Sequence, residues 1–438
     1  MYKKNITLFT ILISITCCTI FAKDNLRNSS NTYAVSEESV KLTPEKEDNS
    51  QYYKNFETIF EFINNNYVTK PDKQKLIEAA ANGMLSSLDA YSEYLTEKDL
   101  EEFSSSRQGE FGGIGITTAY DNGALKVISV MDNLPAYKAG IKKDDYILAV
   151  EGEYVNDLGH SATIKKLRGA VGDEVLIKIM NSGDTKPRDI KLVRAIIKIK
   201  SVEHHIDQEF AYIKLKTFND NTTLELKNAM SDILKKAGGE KKIRGIILDL
   251  RDNLGGVFDQ AVTVSEYFLP SGVIVSTKAR NESDVKIYHA KKFTDKAPMV
   301  PMVILINYFS ASASEIVAAA LRENNRAILI GTKTIGKGVT QMISSFKNYG
   351  IKLTMAGYYT PLGNSIHEKG IEPDINVEQI PCREKIKNYD DVFFYKFIDK
   401  KSRDKNMEDY NKIDASFDND YQYSRAIDEL KYLNTKNK

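Results

Sequence analysis

Three serines alternate in the segment NYFSASASEI, at Ser310, Ser312 and Ser314, directly ahead of an apolar run that reads as a helix. A serine at a strand-to-helix turn can act as a nucleophile, because helix N–H groups and the helix dipole then face an oxyanion. Such a serine needs a base. The chain has only five histidines, and none lies in this segment. A lysine does stand between two glycines in TKTIGKGVTQ. Glycine lets another backbone come close. Beyond Gly336 the run reads as extended, so Lys337, Val339 and Gln341 share a face. A lysine held neutral by burial can take a serine proton without histidine. Gln341 is spaced to hydrogen-bond and orient its amine. A third segment, ILDLRDNLGG, is a buried strand ending in a tight turn, and Gly255 and Gly256 suit the presentation of bare N–H groups.

Each segment also has a reading without chemistry. Ser312 and Glu315 have the spacing of a capping box. The Gly255–Gly256 turn is compatible with an ordinary connection. GTKTIGKG follows most of a phosphate-binding loop, but Gly338 stands where Ser or Thr should bind magnesium, and strand rather than helix follows. A Ser-His-Asp hydrolase using His204, His205 or His289 is the other catalytic reading. It predicts a pH–rate limb near the histidine pKa of about 6.5.

The surrounding patterns divide the chain. Residues 1–22 read as a secretory signal peptide: MYKK is the basic start, ITLFTILISITCCTIF the apolar core and Ala22 the cleavage point. The core falls short of the ~20 residues of a membrane span. The expectation is an exported, periplasmic protein, with an uncleaved inner-membrane anchor as the alternative. Only Cys382 would survive cleavage, since Cys17 and Cys18 lie in the signal, so no internal disulfide is expected. Residues 23–50 form a polar linker. Residues 51–105 read as a helical domain with Phe56, Ile59, Phe60 and Ile63 on one face, a candidate surface for homo-oligomers. Residues 106–196 open on GEFGGIGITTAY and continue as short strands with two helices, a compact α+β module. Residues 197–380 alternate buried strands (IRGIILDL, MVILIN, RAILIGT) with helices (VFDQAVTVSEYFL, SEIVAAALREN). That pattern implies parallel βαβ units and an α/β domain. Residues 381–438 are a charged, Tyr-rich extension without a readable pattern. Sixty-one basic against 60 acidic residues leave no basic excess for nucleic acid. No metal-ligand spacing appears, and no cofactor is expected.

The nucleophile, lysine and glycine segments, in an α/β domain behind a module carrying FGGIGI, together resemble the carboxy-terminal processing proteases of family S41. The likeness spans about residues 52–376 and includes YYTPLGNSIHEKGIEPDI. It implies a multidomain chain, a crotonase/Clp-protease-like α/β core with an inserted PDZ domain and an N-terminal helical segment. It further implies an exported serine endopeptidase whose PDZ domain takes substrate C-termini. By position, the resemblance makes Ser312 the nucleophile, Lys337 the base 25 residues on (337 − 312) and Gln341 its partner. Ala313 with Gly255 or Gly256 would form the oxyanion hole. Gly113, Ile114, Gly115 and Ile116 would hold the substrate carboxylate, with the helix at 161–167 as the other wall. Arg168 would couple peptide occupancy to the core. Two positions depart from the family. Glu323 stands where Asp is usual and is read as supporting structure. Asp144 stands where a PDZ turn usually has Gly. An adaptor delivering substrates is a further expected partner, and a catalytically silent PDZ scaffold is the alternative.

Overall fold

The structure is a computed structural model that describes residues 48–378 and 420–436, apart from 185, 282, 293 and 294. The expected signal peptide, all three cysteines, most of the linker and most of the C-terminal extension lie outside the described residues. The chain divides into two compact units, residues up to Tyr94 with Met342–Leu353, and Leu95–Gln341 with the chain from Thr354 onward.

In the first unit, α1 (Ser50–Asn66) and α2 (Lys73–Ser86) form as the apolar spacing predicts, α2 being capped by Asp72, whose carboxylate accepts from the Gln74 and Lys75 N–H groups. α1 buries none of its residues, and Phe56, Ile59 and Ile63 are exposed. Tyr94 stacks on Tyr349, which stacks in turn on Phe346, and Glu93 pairs with Lys352.

The boundary between the units falls within β1 (Glu93–Thr96), and just past it Thr96 and Asp99 close a capping box on α3 (Glu97–Arg107). β2 (Glu110–Gly113) pairs antiparallel with β9 (Ala195–Lys198) and brackets the α+β module. Its sheet runs β3 (Ile116–Asp121), β4 (Ala124–Val130), β5 (Tyr146–Val150), β7 (Glu174–Met180), β8 (Arg188–Val193), with β6 (Glu153–Tyr154) on β5. α4 (Pro135–Lys138) and α5 (Val155–Leu167) complete it. Val175, Ile177 and Ile179 alternate inward along β7, as a half-buried antiparallel strand requires, and meet Leu125, Val127 and Ile147 in one core. Gly159 (φ 74°) kinks α5, so its main body coincides with the wall expected at 161–167.

The α/β core is a six-stranded sheet in the order β10 (Val202–Asp207), β11 (Phe210–Leu215), β12 (Gly245–Asp249), β15 (Met302–Ile306), β16 (Ile328–Gly331), β19 (Ile375–Asn376). It is parallel apart from the β10–β11 pair. Every residue of β12 and β15 is buried, which explains their continuous apolar sequence. One face carries α6 (Thr222–Ala237), α7 (Phe258–Phe268) and α8 (Ala313–Glu323), packed on Ile246, Leu248, Ile304 and Ile306. The opposite face carries α9 (Tyr421–Lys436), whose Ala426, Ile427 and Leu430 meet Ile247, Val303, Leu305 and Ile330. A second sheet pairs β13 (Val273–Ala279) with β14 (Val285–His289) and β18 (Tyr349–Tyr359), and β17 (Val339–Ser345) pairs with β18.

Candidate active site

β15 delivers the chain to the serine turn, and α8 starts immediately after it. Ser312 has φ 56° and ψ −111°, a region that side chains other than hydrogen rarely occupy. Its neighbours hold it there. Ser310 Oγ donates to the Leu250 carbonyl at 2.9 Å and accepts from the Asn307 N–H at 3.0 Å. Ser314 Oγ donates to the Asn253 carbonyl at 2.8 Å. Both outer serines therefore staple the turn to the loop after β12. Ser312 occupies the capping-box position at the start of α8, and the Glu315 carboxylate accepts its N–H at 2.8 Å. The outer two serines are thus tied to the loop after β12, and the middle one stands at the helix cap.

The glycine loop lies against this turn. Asn253 is fully buried; its Oδ1 accepts from the Gly255 N–H at 2.9 Å and its Nδ2 donates to the Leu215 carbonyl at 2.8 Å. The Ala311 N–H donates to the Asn253 carbonyl at 3.0 Å. Gly255 has φ +94°, and a Cβ there would stand 2.7 Å from the Ala311 oxygen and 2.9 Å from both Ser312 Cβ and the Ala313 nitrogen. Only bare backbone fits so close to the serine turn. Asn253 takes the Gly255 N–H, whereas the N–H groups of Gly256 and Ala313 make no hydrogen bond among the described residues. The two candidate glycines thus differ: Gly255 makes the close approach with its N–H engaged, and the Gly256 N–H is not engaged by the described residues.

The lysine loop arrives through one carboxylate. Glu315 is wholly buried. Its Oε2 accepts from the Ser312 N–H at 2.8 Å and the Lys337 N–H at 2.9 Å, and its Oε1 from the Gly336 N–H at 2.8 Å and the Thr334 hydroxyl at 2.5 Å. Thr334 Oγ1 itself accepts from the Ile371 N–H at 2.7 Å. Burial pushes the Glu315 carboxyl up to about 7, against the downward pull of the Thr334 hydroxyl and the three N–H groups. Lys337 is half-buried. A Cβ on Gly338 would meet the His367 nitrogen at 2.1 Å, which explains the glycine there. Gln341 lies on β17, and its Nε2 donates to Thr354 Oγ1 at 3.1 Å.

Ser312, Ala313, Gly255, Gly256 and Lys337 are therefore gathered at one place by backbone and by Glu315. Sequence reasoning saw Glu315 only as a capping residue and missed Thr334 and Asn253, because Glu315 and Ile371 reach Thr334, and Leu215 reaches Asn253, only through the fold. Glu323 ends α8, about 16 Å along the helix axis from its start, and accepts from the Leu362 N–H at 2.8 Å, holding the TPLGN turn. His204 and His205 lie on β10, the edge strand of the core sheet. There His204 Nε2 is 2.8 Å from Asp232 and His205 stacks on Tyr212. His289 lies on β14 in the second sheet.

In the α+β module, Ile114 and Gly115 make no N–H hydrogen bond among the described residues, while their carbonyls accept from Ala136 and Met131. Gly113 ends β2, and Ile116 opens β3, the edge strand of its sheet. The Arg168 guanidinium lies 4.3 Å from the Phe111 ring centre. Asp144 adopts the left-handed turn (φ 70°) that glycine would favour, and its carboxylate pairs with Lys126 at 2.9 Å.

The chain thus has an α/β core in which a glycine loop packs on a strained serine at a helix start, with a β-rich module on its N-terminal side. The models described as "Peptidase family S41", "PDZ domain" and "Activating protease CtpB N-terminal domain" match residues 209–377, 112–192 and 13–99. The "Carboxy-terminal-processing protease" of Bartonella bacilliformis is 44% identical over 336 residues, covering 76% of this chain and 77% of that protein. The chain belongs to peptidase family S41 and, within it, to the carboxy-terminal-processing proteases. The "Probable CtpA-like serine protease" of Staphylococcus aureus is 35% identical over 324 residues, 74% of this chain and 64% of that one. Among solved structures, the photosystem II D1 C-terminal processing protease aligns at 26% identity with a TM-score of 0.44, covering 74% of this chain and 93% of that one. The α+β module is thus a PDZ domain and the core an S41 peptidase.

Proposed function

We propose that this chain is an exported serine endopeptidase that captures substrate C-termini in its PDZ domain and cuts with Ser312 and Lys337. The observation that carries the reading is Glu315 Oε2, which accepts from the N–H groups of both residues. A substrate terminus adds as a strand to the free edge of β3, its carboxylate on the Ile114 and Gly115 N–H groups. Neutral Lys337 takes the proton from Ser312 Oγ as that oxygen attacks the peptide carbonyl. The oxyanion is held by the Ala313 and Gly256 N–H groups. The C–N bond breaks as Lys337 returns the proton to the leaving amine. Water, deprotonated by the same lysine, then releases the acyl group from Ser312. Gln341 orients the amine through its Oε1, since its Nε2 is engaged by Thr354.

The test is cleavage of a protein with a C-terminal apolar tail by Ser312→Ala and Lys337→Ala variants. Both should be inactive while still binding the tail peptide. Cleavage at the normal rate by Lys337→Ala would remove the assigned base, and an inactive wild type that binds peptide would favour a silent scaffold. Residues 1–22 direct export, which fractionation of cells would check. The exposed apolar residues of α1 pair two copies of the chain, a state readable by light scattering before and after Ile59→Asp.

A further inference from the structure

The C-terminal helix lies outside the residues matched to the peptidase family, yet it reaches the root of the glycine loop. Asp420, directly ahead of α9, takes Arg251 Nη1 on one oxygen at 2.7 Å and Nη2 on the other at 2.8 Å. The other side of the same guanidinium goes to Asp249, with Nε at 3.0 and 3.1 Å from its two oxygens and Nη2 at 2.6 Å. Asp249 is fully buried and also accepts from the Tyr212 hydroxyl at 2.7 Å. Gln422 adds a second bond to Arg251 Nη1 at 3.1 Å and donates to the Val377 carbonyl at 2.7 Å. Asp249 is the last residue of β12, and Arg251 is two residues past it, in the loop that runs on to Asn253, Gly255 and Gly256.

We propose that Asp420 is a positioning residue for the oxyanion loop: it fixes Arg251, and through Arg251 the strand end from which Gly256 is presented. The inference rests on the reading of Gly256 as an oxyanion donor. The loop is gripped from two directions. Ser310 and Ser314 hold the Leu250 and Asn253 carbonyls from the nucleophile side. Asp420 holds Arg251 from the opposite face of the sheet, where α9 packs. A planar guanidinium clamped on both edges has one orientation, so the backbone that carries it has little freedom. Arg251 and Asp249 are buried and Asp420 is partly exposed, so removing the Asp420 carboxylate leaves the outer edge of a buried guanidinium with Gln422 as its remaining partner there. An N–H aimed at a transition-state oxygen loses effect when it drifts by a fraction of an ångström. The helix that closes the sheet's second face therefore also tunes turnover.

The test uses the full chain with Asp420→Asn, Asp420→Glu and Leu430→Ala. The last loosens the same helix through its apolar contact and leaves the Arg251 cluster intact. Thermal midpoint, kcat and KM are measured on one peptide substrate. The expected result is a kcat about tenfold lower in Asp420→Asn with KM within about twofold, partial recovery in Asp420→Glu, and an unchanged kcat in Leu430→Ala despite a lower midpoint. A wild-type kcat in Asp420→Asn would overturn the proposal, as would an equal kcat loss in Leu430→Ala at matched midpoint. The Lys337→Ala variant run alongside separates the two readings. If it is inactive while Asp420→Asn turns over normally, only the positioning role fails.

Discussion

The N–H groups of Ser312 and Lys337, 25 residues apart, end on the same atom: Glu315 Oε2 accepts the first at 2.8 Å and the second at 2.9 Å. The two nitrogens are thereby held within about 6 Å of each other by ordinary hydrogen-bond lengths. No cation is needed for this, because four donors face one carboxylate and compensate its charge by their dipoles. The spacing between the Ser312 and Lys337 backbones is thus fixed through their N–H groups.

Glu315→Gln tests this clamp. An amide keeps one oxygen but turns an NH2 toward donors, so at least one of the four contacts becomes a repulsion. We expect kcat to fall about 10- to 100-fold. The pH dependence adds a second readout. The Glu315 carboxyl sits at about 7 against an ordinary 4.5, so the folded chain binds this proton more tightly than the unfolded one. Stability then falls as pH rises from about 4.5 to about 7 and is level beyond. Activity runs the other way, since protonating Glu315 puts an O–H where the carboxylate must accept. Log kcat/KM of the wild type should fall at low pH with about one unit more slope than that of Glu315→Gln. Identical slopes in the two proteins would show that Glu315 does not titrate in the working range.

Asn253 makes a separate prediction. Its side chain takes the Gly255 N–H and ties the loop to β11 through the Leu215 carbonyl. In Asn253→Ala both tethers go, and the Gly255 N–H becomes a competing donor beside Gly256. The expected effect is a loss of kcat of about 100-fold with KM little changed, measured by steady-state kinetics on a short peptide. A matched loss in KM would instead point to a role in substrate binding.

The serines flanking Ser312 are expected to behave unlike it. Ser314→Ala removes one buried hydroxyl bond, to the Asn253 carbonyl, and Ser310→Ala removes two, to the Leu250 carbonyl and from the Asn307 N–H. Each should cost about 1 kcal/mol of stability, seen in chemical denaturation, and leave substantial cleavage. Complete inactivation of a well-folded Ser314→Ala protein would move the nucleophile assignment.

Much of this was legible in the sequence wherever a signal is local. GIILD and MVILI read as strands buried on both faces because both faces are in fact covered. The three serines, the glycine-flanked Lys337 and the glycine pair stood out by residue type and spacing, while the choice of Ser312 among the serines came from the resemblance to the family. Glu315 was visible as a helix cap and invisible as a clamp, since Thr334, Gly336 and Lys337 reach it only after the chain folds back. The C-terminal helix was opaque for a related reason. Its Ala426, Ile427 and Leu430 are sparse among charged residues, and they have meaning only against the sheet face they complete. The apolar face of α1 was read correctly, yet α1 buries none of it among the described residues. Periodicity reports a surface that can be covered and not what covers it.

The PDZ loop gives the last prediction. Gly115 has φ +82°, and a Cβ there would stand 2.6 Å from Leu134 Cβ, which is fixed to the backbone and cannot swing aside as the Leu134 Cδ1 at 2.7 Å can. Gly115→Ala should therefore shift the loop that presents the Ile114 and Gly115 N–H groups. Leu134 leads directly into α4, so part of the displacement would pass into the module. Binding of a C-terminal peptide, followed by fluorescence anisotropy, is expected to weaken about tenfold, which is the scale of one misplaced charge-assisted hydrogen bond. A substrate too short to reach the PDZ groove should be cut at the wild-type rate. Equal losses on the short and the long substrate would mean that the loop acts on the peptidase core and not on capture.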